Sequence, residues 1–392
     1  MSVRRSVAVG CAMLAAGAVA LAGCAEFTEQ PSADKWTSQP KLTPLAGPRP
    51  ELPGEQKPGG SQRPTSTTAP RPPEGCTDYN PLVIATCLDT VSAIAALPGD
   101  GSNPMGLVGE RRTGRILRVQ RGVPPVVVAT VPVDRSGDGG LTGLALSPTY
   151  AEDQLIFAYV TTASDNRLVR IAPKDTPKPV LTGIPKGPVN NRGALALDHR
   201  GALLLATGDA GNPAAAADPN SLAGKVLRLD GAGRPARGNP NPSSPVITSG
   251  LRAPGGVCAS MEGARTWVTD RGADRDLLYR IEAGRPLTGP AWTWPDRPGV
   301  AGCASTPASI AVATSIAGDL QTLPLAADGT LRGKPEISMK PPEGFGRLGG
   351  MDLIADQVAM VGTVNKDGGT PVSSDDRAFL LVIQGGGGSG PD

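Results

Sequence analysis

Residues 190–212 read NNRGALALDHRGALLLATGDAGN. Two apolar runs, ALALD and ALLLAT, flank His199-Arg200-Gly201, the kind of short Gly-containing break that joins antiparallel strands. The second run ends in Gly208-Asp209, where a strand gives way to a loop. His199 is the only histidine among 392 residues, and this position puts it on a turn facing solvent, away from any chemistry.

The same grain extends in both directions. From Cys76 to about residue 384 the chain is built of apolar runs of four to seven residues, such as RILRVQ, PVVVAT, LIFAYVTT, KVLRLD and LLYRI. Gly, Asp, Asn and Pro punctuate them, and no window sustains the i, i+3, i+4, i+7 spacing of a long amphipathic helix. The region is therefore all-β. Its length of roughly 310 residues exceeds a common two-sheet sandwich, and a strand-turn rhythm of about 50 residues per unit suits a six-bladed β-propeller of four-stranded sheets. Asp-Gly turns at Asp198, Asp230 and Asp328 fit that rhythm. The blade count comes from length, because the repeats themselves are weak.

Ahead of this region, Arg4 and Arg5 precede an apolar run from Val7 to Ala22, followed by LAGC at Leu21–Cys24. This pattern predicts an export signal over residues 1–23, and LAGC resembles a bacterial lipobox, whose cysteine is acylated and becomes the mature N-terminus. An uncleaved anchor is the alternative. Residues 24–75 then form a lipidated Cys24 and a Pro/Ser/Thr-rich linker too poor in apolar residues to fold, expected to be a disordered tether. Residues 385–392, GGGGSGPD, are expected to be a disordered tail. The expected location is the cell membrane, lipid-anchored and facing the periplasm or exterior.

The chain has 38 Lys and Arg against 36 Asp and Glu, and loss of the signal removes two arginines and no acids, leaving a neutral chain. Neutrality argues against nucleic acid as a partner. One histidine and no Cys-x-x-Cys pair argue against a transition-metal site. Cys11 leaves with the signal and Cys24 takes lipid, so Cys76, Cys87, Cys258 and Cys303 remain in a compartment where disulfides persist. Three pairings are open. Cys76 with Cys87, closing a short loop, and Cys258 with Cys303, joining neighbouring elements, are expected.

The stretch TGDAGNPAAAADPNSLAGKVLRLDGAGRPARGNP, residues 207–240, resembles the soluble glucose/sorbosone dehydrogenase family. GDGGLTGLALSPTY from Gly137, SGLRAPGGV from Ser249 and WTWP from Trp292 are similar to further segments of that family, and the likeness covers most of residues 100–370. The resemblance implies a six-bladed propeller. Several members use pyrroloquinoline quinone (PQQ) and calcium to oxidise sugars. Such chemistry needs a base on the sugar hydroxyl, a carboxylate that orients the base, and cations that hold the quinone.

Carried over residue by residue, the implied pattern is broken. The base, a histidine two residues before a Gly-Gly pair, falls on Asn190, and an amide does not accept a proton at neutral pH. Asp209 matches the orienting carboxylate. Arg252 matches a quinone-contacting arginine, but its neighbours become Leu251 and Ala253. Asp138 stands where a substrate-facing Gln or Glu is implied. Arg347 is kept, while a second arginine becomes Gly349 and a lysine becomes Ile316. Asp270 and Arg271 occupy an acidic and a polar position near the channel. Without several cations the quinone carboxylates would be underpaired.

Ligand-binding candidates are thus Asp138, Asp209, Arg252, Asp270, Arg271 and Arg347, with a role in turns as the competing reading. Asp134–Gly140 spaces oxygens like the start of a calcium loop, but Ala145 stands at the distal Glu position, so a β-turn is expected and no metal site is assigned. Trp292 and Trp294 share a strand face and could stack on a sugar or pack in the core. The favoured function is an envelope lipoprotein with a non-catalytic or altered dehydrogenase-like propeller, a monomer serving as a platform for a carbohydrate or an envelope protein. The alternatives are an active PQQ-dependent sugar dehydrogenase using Asp209 or Asp138 as base, and a calcium-dependent lactonase, which would need more channel acids.

Overall fold

The computed structural model describes residues 71–99, 103–260 and 265–383. The signal, Cys24, most of the linker and the 385–392 tail lie outside them.

Twenty-four strands among these residues form six four-stranded antiparallel sheets. After β1 (Val83–Ala85), the first sheet is β2 (Val91–Ala96), β3 (Met105–Glu110), β4 (Arg115–Gln120) and β5 (Val123–Thr130). The second is β6 (Leu141–Leu146), β7 (Ile156–Thr161), β8 (Asn166–Ile171) and β9 (Lys178–Ile184). The third is β10 (Gly193–Leu197), β11 (Leu203–Thr207), β12 (Lys225–Leu229) and β13 (Val246–Ser249). The fourth is β14 (Pro254–Ala259), β15 (Thr266–Arg271), β16 (Asp276–Arg280) and β17 (Trp292–Trp294). The fifth is β18 (Val300–Ser305), β19 (Ser309–Thr314), β20 (Leu320–Pro324) and β21 (Glu336–Ser338). The sixth is β22 (Leu348–Ala355), β23 (Val358–Thr363) and β24 (Ala378–Val382), completed by β1 as its outermost strand.

This is the expected six-bladed propeller. The opening stretch is the β10–β11 hairpin, with Leu195 opposite Leu205. His199 sits exposed on its turn. That turn is held by Asp198, whose Oδ1 accepts the Arg200 and Ala202 N–H groups, and Asp230 and Asp328 organise turns in the same way. The ring closes because β1 pairs with β24, Val83 opposite Phe379. The Cys76–Cys87 disulfide brackets that closing strand.

The first strand of each sheet lines the central channel, and all six run the same way along it. Buried apolar side chains fill the spaces between adjacent sheets, for instance Leu107, Leu141 and Val160 between the first and second. The innermost strands are rich in glycine because they nearly touch. A Cβ on Gly302 would lie 2.5 Å from the Met351 nitrogen, and one on Gly256 would lie 2.8 Å from the Cys303 nitrogen. The channel therefore narrows to a waist of about 30 Å³ walled by Gly143, Gly256, Gly302 and Gly350. On one side of it is a mouth formed by the segments that enter the inner strands. On the other is a cup formed by the strands' far ends.

Candidate functional site

Because every inner strand starts at the mouth, residues far apart in sequence meet there: 138, 190–192, 252, 299 and 347, together with loops joining the second and third strands of each blade. Asn190 is buried, with φ +60°, and its Nδ2 donates to Asp209 Oδ1 at 2.8 Å. The same oxygen accepts the Gly211 N–H at 2.7 Å. Asp209 thus orients the residue at the implied base position, but that residue is a carboxamide whose nitrogen is the donor.

Asp138 Oδ1 accepts the Asn191 N–H at 3.0 Å, and Asn191 in turn braces Gly187 and Asn166. The Asp134–Gly140 loop is a turn: Asp134 Oδ1 takes the Ser136 N–H, Oδ2 pairs with Lys186, and Gly139 N–H donates to the Ser136 carbonyl. Asp270 accepts the backbone N–H groups of Arg252 and Ala253. Burial, with Asp209 adding repulsion, pushes Asp270 up to about 6 despite those bonds.

Four of the site's arginines are held by backbone oxygens. Arg252 Nη1 donates to the Arg271 carbonyl, and Arg271 donates to Val300, Gly299 and Ser315 Oγ. Burial, reinforced by the charges of Arg192 and Arg347, pushes Arg271 down to about 9. Arg347 Nη1 reaches the Gly368 carbonyl. Arg111, which the sequence reading missed, donates to the Gly139 carbonyl and pairs with Asp367 at 2.9 Å. The buried Nε atoms of Arg111 and Arg347 have no partner.

Arg192 was missed as well. It stands two residues after Asn190, at the first position of the Gly-Gly pair that the resemblance implies. Its guanidinium has no hydrogen bond or ion pair among the described residues. Burial lowers its pKa, and the charge of Arg111 adds to that, with Asp138 and Asp367 opposing. The losses at Gly349 and Ile316 stand, but the mouth carries two cations that the resemblance did not imply: Arg111 and Arg192 join Arg252, Arg271 and Arg347.

Other implied positions are apolar or closed. Leu251 and Ala253 are buried, and Ile316 is 62% exposed. No side chain fits at Gly349, where a Cβ would lie 2.3 Å from the Val91 carbonyl oxygen. Trp292 and Trp294 are not at the mouth. They lie on β17, the outermost strand of its sheet, and pack around the Cys258–Cys303 disulfide, with Trp294 Nε1 donating to Gln321. The sugar-stacking option is thereby withdrawn. Both disulfides pair as expected.

The loop carrying Asp209 is pinned from below. Lys225, fully buried, donates through Nζ to the carbonyls of Ala215, Ala216 and Ala223 at 3.0, 2.7 and 2.9 Å. That structural task explains the lysine of the Gly-Lys-Val-Leu-Arg segment. Among the described residues no three His, Cys, Asp or Glu side chains group to hold a metal ion.

A family profile described as glucose/sorbosone dehydrogenase matches residues 88–297. The chain belongs to that family. Among solved structures, it is similar to the PQQ-bound aldose sugar dehydrogenase of Streptomyces coelicolor, at 31% identity and a TM-score of 0.71, covering 77% of this chain and 96% of that one. A glucose dehydrogenase-type oxidoreductase from Thermus thermophilus matches at 28% identity and a TM-score of 0.69, covering 76% and 98%. The apo soluble aldose sugar dehydrogenase of Escherichia coli, at 20% identity and a TM-score of 0.65 over 76% and 98%, shares the fold. No curated protein matches the chain.

Proposed function

We propose that this family member is a ligand-binding propeller whose arginine-rich mouth holds a polycarboxylate, a quinone of the PQQ class included, and that it does not oxidise sugars. Asn190, held by the bond from its Nδ2 to Asp209, carries this reading, because a carboxamide oriented at the implied base position has no basic nitrogen to take a hydroxyl proton at neutral pH. The donor set fits the anion: Arg192 has no partner, and Arg111 and Arg347 each keep an unpaired buried Nε. When bound, PQQ would supply a hydride acceptor. This chain's residues would supply the charge that holds it, and none that takes the hydroxyl proton. Asp209 and Asp138 are poor replacements, since both already accept N–H groups that fix the loops around them.

The protein is further proposed to work at the membrane surface, held by acylated Cys24. The test is titration of the purified chain with PQQ and calcium, and separately with citrate, by calorimetry, followed by dye reduction with aldoses. Micromolar polycarboxylate binding without aldose-dependent dye reduction is expected. Turnover would overturn the non-catalytic assignment, and failure of both anions to bind would overturn the role given to the arginines.

A further inference from the structure

Beyond the waist, the far end of the channel opens into a cup of about 250 Å³, separate from the mouth. Ile94, Leu146, Leu197, Val257 and Met351 make most of its wall apolar. Two polar groups interrupt that wall. Ser305 is buried and its Oγ has no hydrogen-bond partner. Asp352 accepts the Ala96 N–H through Oδ2 and the Leu353 N–H through Oδ1, both at close range. No other charged side chain lines the cup among the described residues, whether from β2, β6, β10, β14, β18 or β22. Burial alone raises the Asp352 carboxyl to about 6, with no charged neighbour contributing.

A carboxylate enclosed by apolar walls without a cation is costly, since burial without a counter-charge disfavours the ionised form. Each Asp352 oxygen accepts one backbone bond and retains a further lone pair. The unpaired Ser305 hydroxyl is a second acceptor. We propose that this cup is a binding site for a small organic cation, a primary ammonium on a compact apolar body, with the nitrogen donating to Asp352 and Ser305 and the body packed among the aliphatic side chains. The size agrees: an apolar cavity of about 150 Å³ holds benzene, so 250 Å³ holds a ring with a two-carbon arm. This site does not depend on the mouth, and each can fail without the other.

The probe is 2-phenylethylammonium, titrated into the mature protein by calorimetry, with 2-phenylethanol and phenylacetate as neutral and anionic counterparts. Binding of the amine at least tenfold tighter than the alcohol at pH 7.5, with no binding of phenylacetate, is expected. Affinity for the amine falls at least fivefold at pH 5, where Asp352 is protonated. Asp352→Asn removes at least tenfold, and Ser305→Ala, which leaves the fold's backbone bonds intact, removes about threefold. Equal binding of amine and alcohol, pH-independent amine binding, or no binding of the amine overturns the proposal. The wild-type pH and ligand series decides it even where Asp352→Asn does not fold.

Discussion

Replacing Lys225 with methionine isolates what holds the Asp209 loop. The methionine keeps the length of the buried stem and removes the ammonium that serves the Ala215, Ala216 and Ala223 carbonyls. Ala216 and Ala223 are buried, so their oxygens would lose a partner that water cannot easily replace. Each such loss costs about 1–3 kcal/mol. Against it stands the relief from burying a cation, which is what holds the Lys225 pKa below its ordinary value. The balance is a destabilisation of about 2–4 kcal/mol, or a melting temperature roughly 3–6 °C lower for a domain of this size. The lowered pKa also fixes a sign. Over the pH range between the folded value and the unfolded lysine value the native state holds fewer protons, so this lysine makes stability rise with pH there, and the variant lacks that rise. Urea unfolding at several pH values, with limited proteolysis across residues 208–224, reads both effects. A loss below about 1 kcal/mol with unchanged proteolysis would refute the anchoring role.

Anion binding at the mouth should strengthen as pH falls from 7.5 to 5, because Asp270, held near 6, loses its negative charge beside Arg252; calorimetry on wild type and on Asp270→Asn, which should show little of this dependence, checks it. Asp270 and Asp352 also bind protons in the folded state at a pH where the unfolded chain does not, so each adds stability as pH falls from about 6 to about 4, worth roughly 2–3 kcal/mol, and a urea midpoint that declines over that interval would contradict it. Changing both Cys258 and Cys303 to alanine opens a closure spanning 45 residues and should cost roughly 4 kcal/mol, measured by denaturant unfolding under oxidising conditions. Cys24→Ala should move the protein from the membrane to the soluble fraction on sedimentation, and continued pelleting would remove the lipid anchor.

Local chemistry carried the fold. Strand runs, the His199 turn and the Asp-anchored reversals are set by neighbours in sequence, so they were legible without coordinates. The 45-residue spacing of Cys258 and Cys303 is about one blade, which places both on adjacent inner strands. The site was less legible because it is assembled by ring closure. Arg111, Arg192 and Arg347 come from the first, third and sixth blades and meet only because each precedes or follows a strand at the mouth. Nothing near Arg111 in sequence marks it as part of a site. For Trp292 and Trp294 the alternation predicts a shared face, and of its two uses core packing holds; sugar stacking falls because strand position within the sheet, inner or outer, is not encoded in a three-residue pattern.

The strand that completes the sixth sheet is also the first to be made, and it lies at the perimeter of the disc. Synthesis must therefore wait for the last blade before the circle can lock, with the Cys76–Cys87 bridge flanking the latch on both sides. The described chain ahead of Val83 joins the ring at an outermost strand and not at the inner ones that line the hub. Truncation as far as Cys76 should therefore spare the wheel, whereas cutting through Val83–Ala85 should unfasten it.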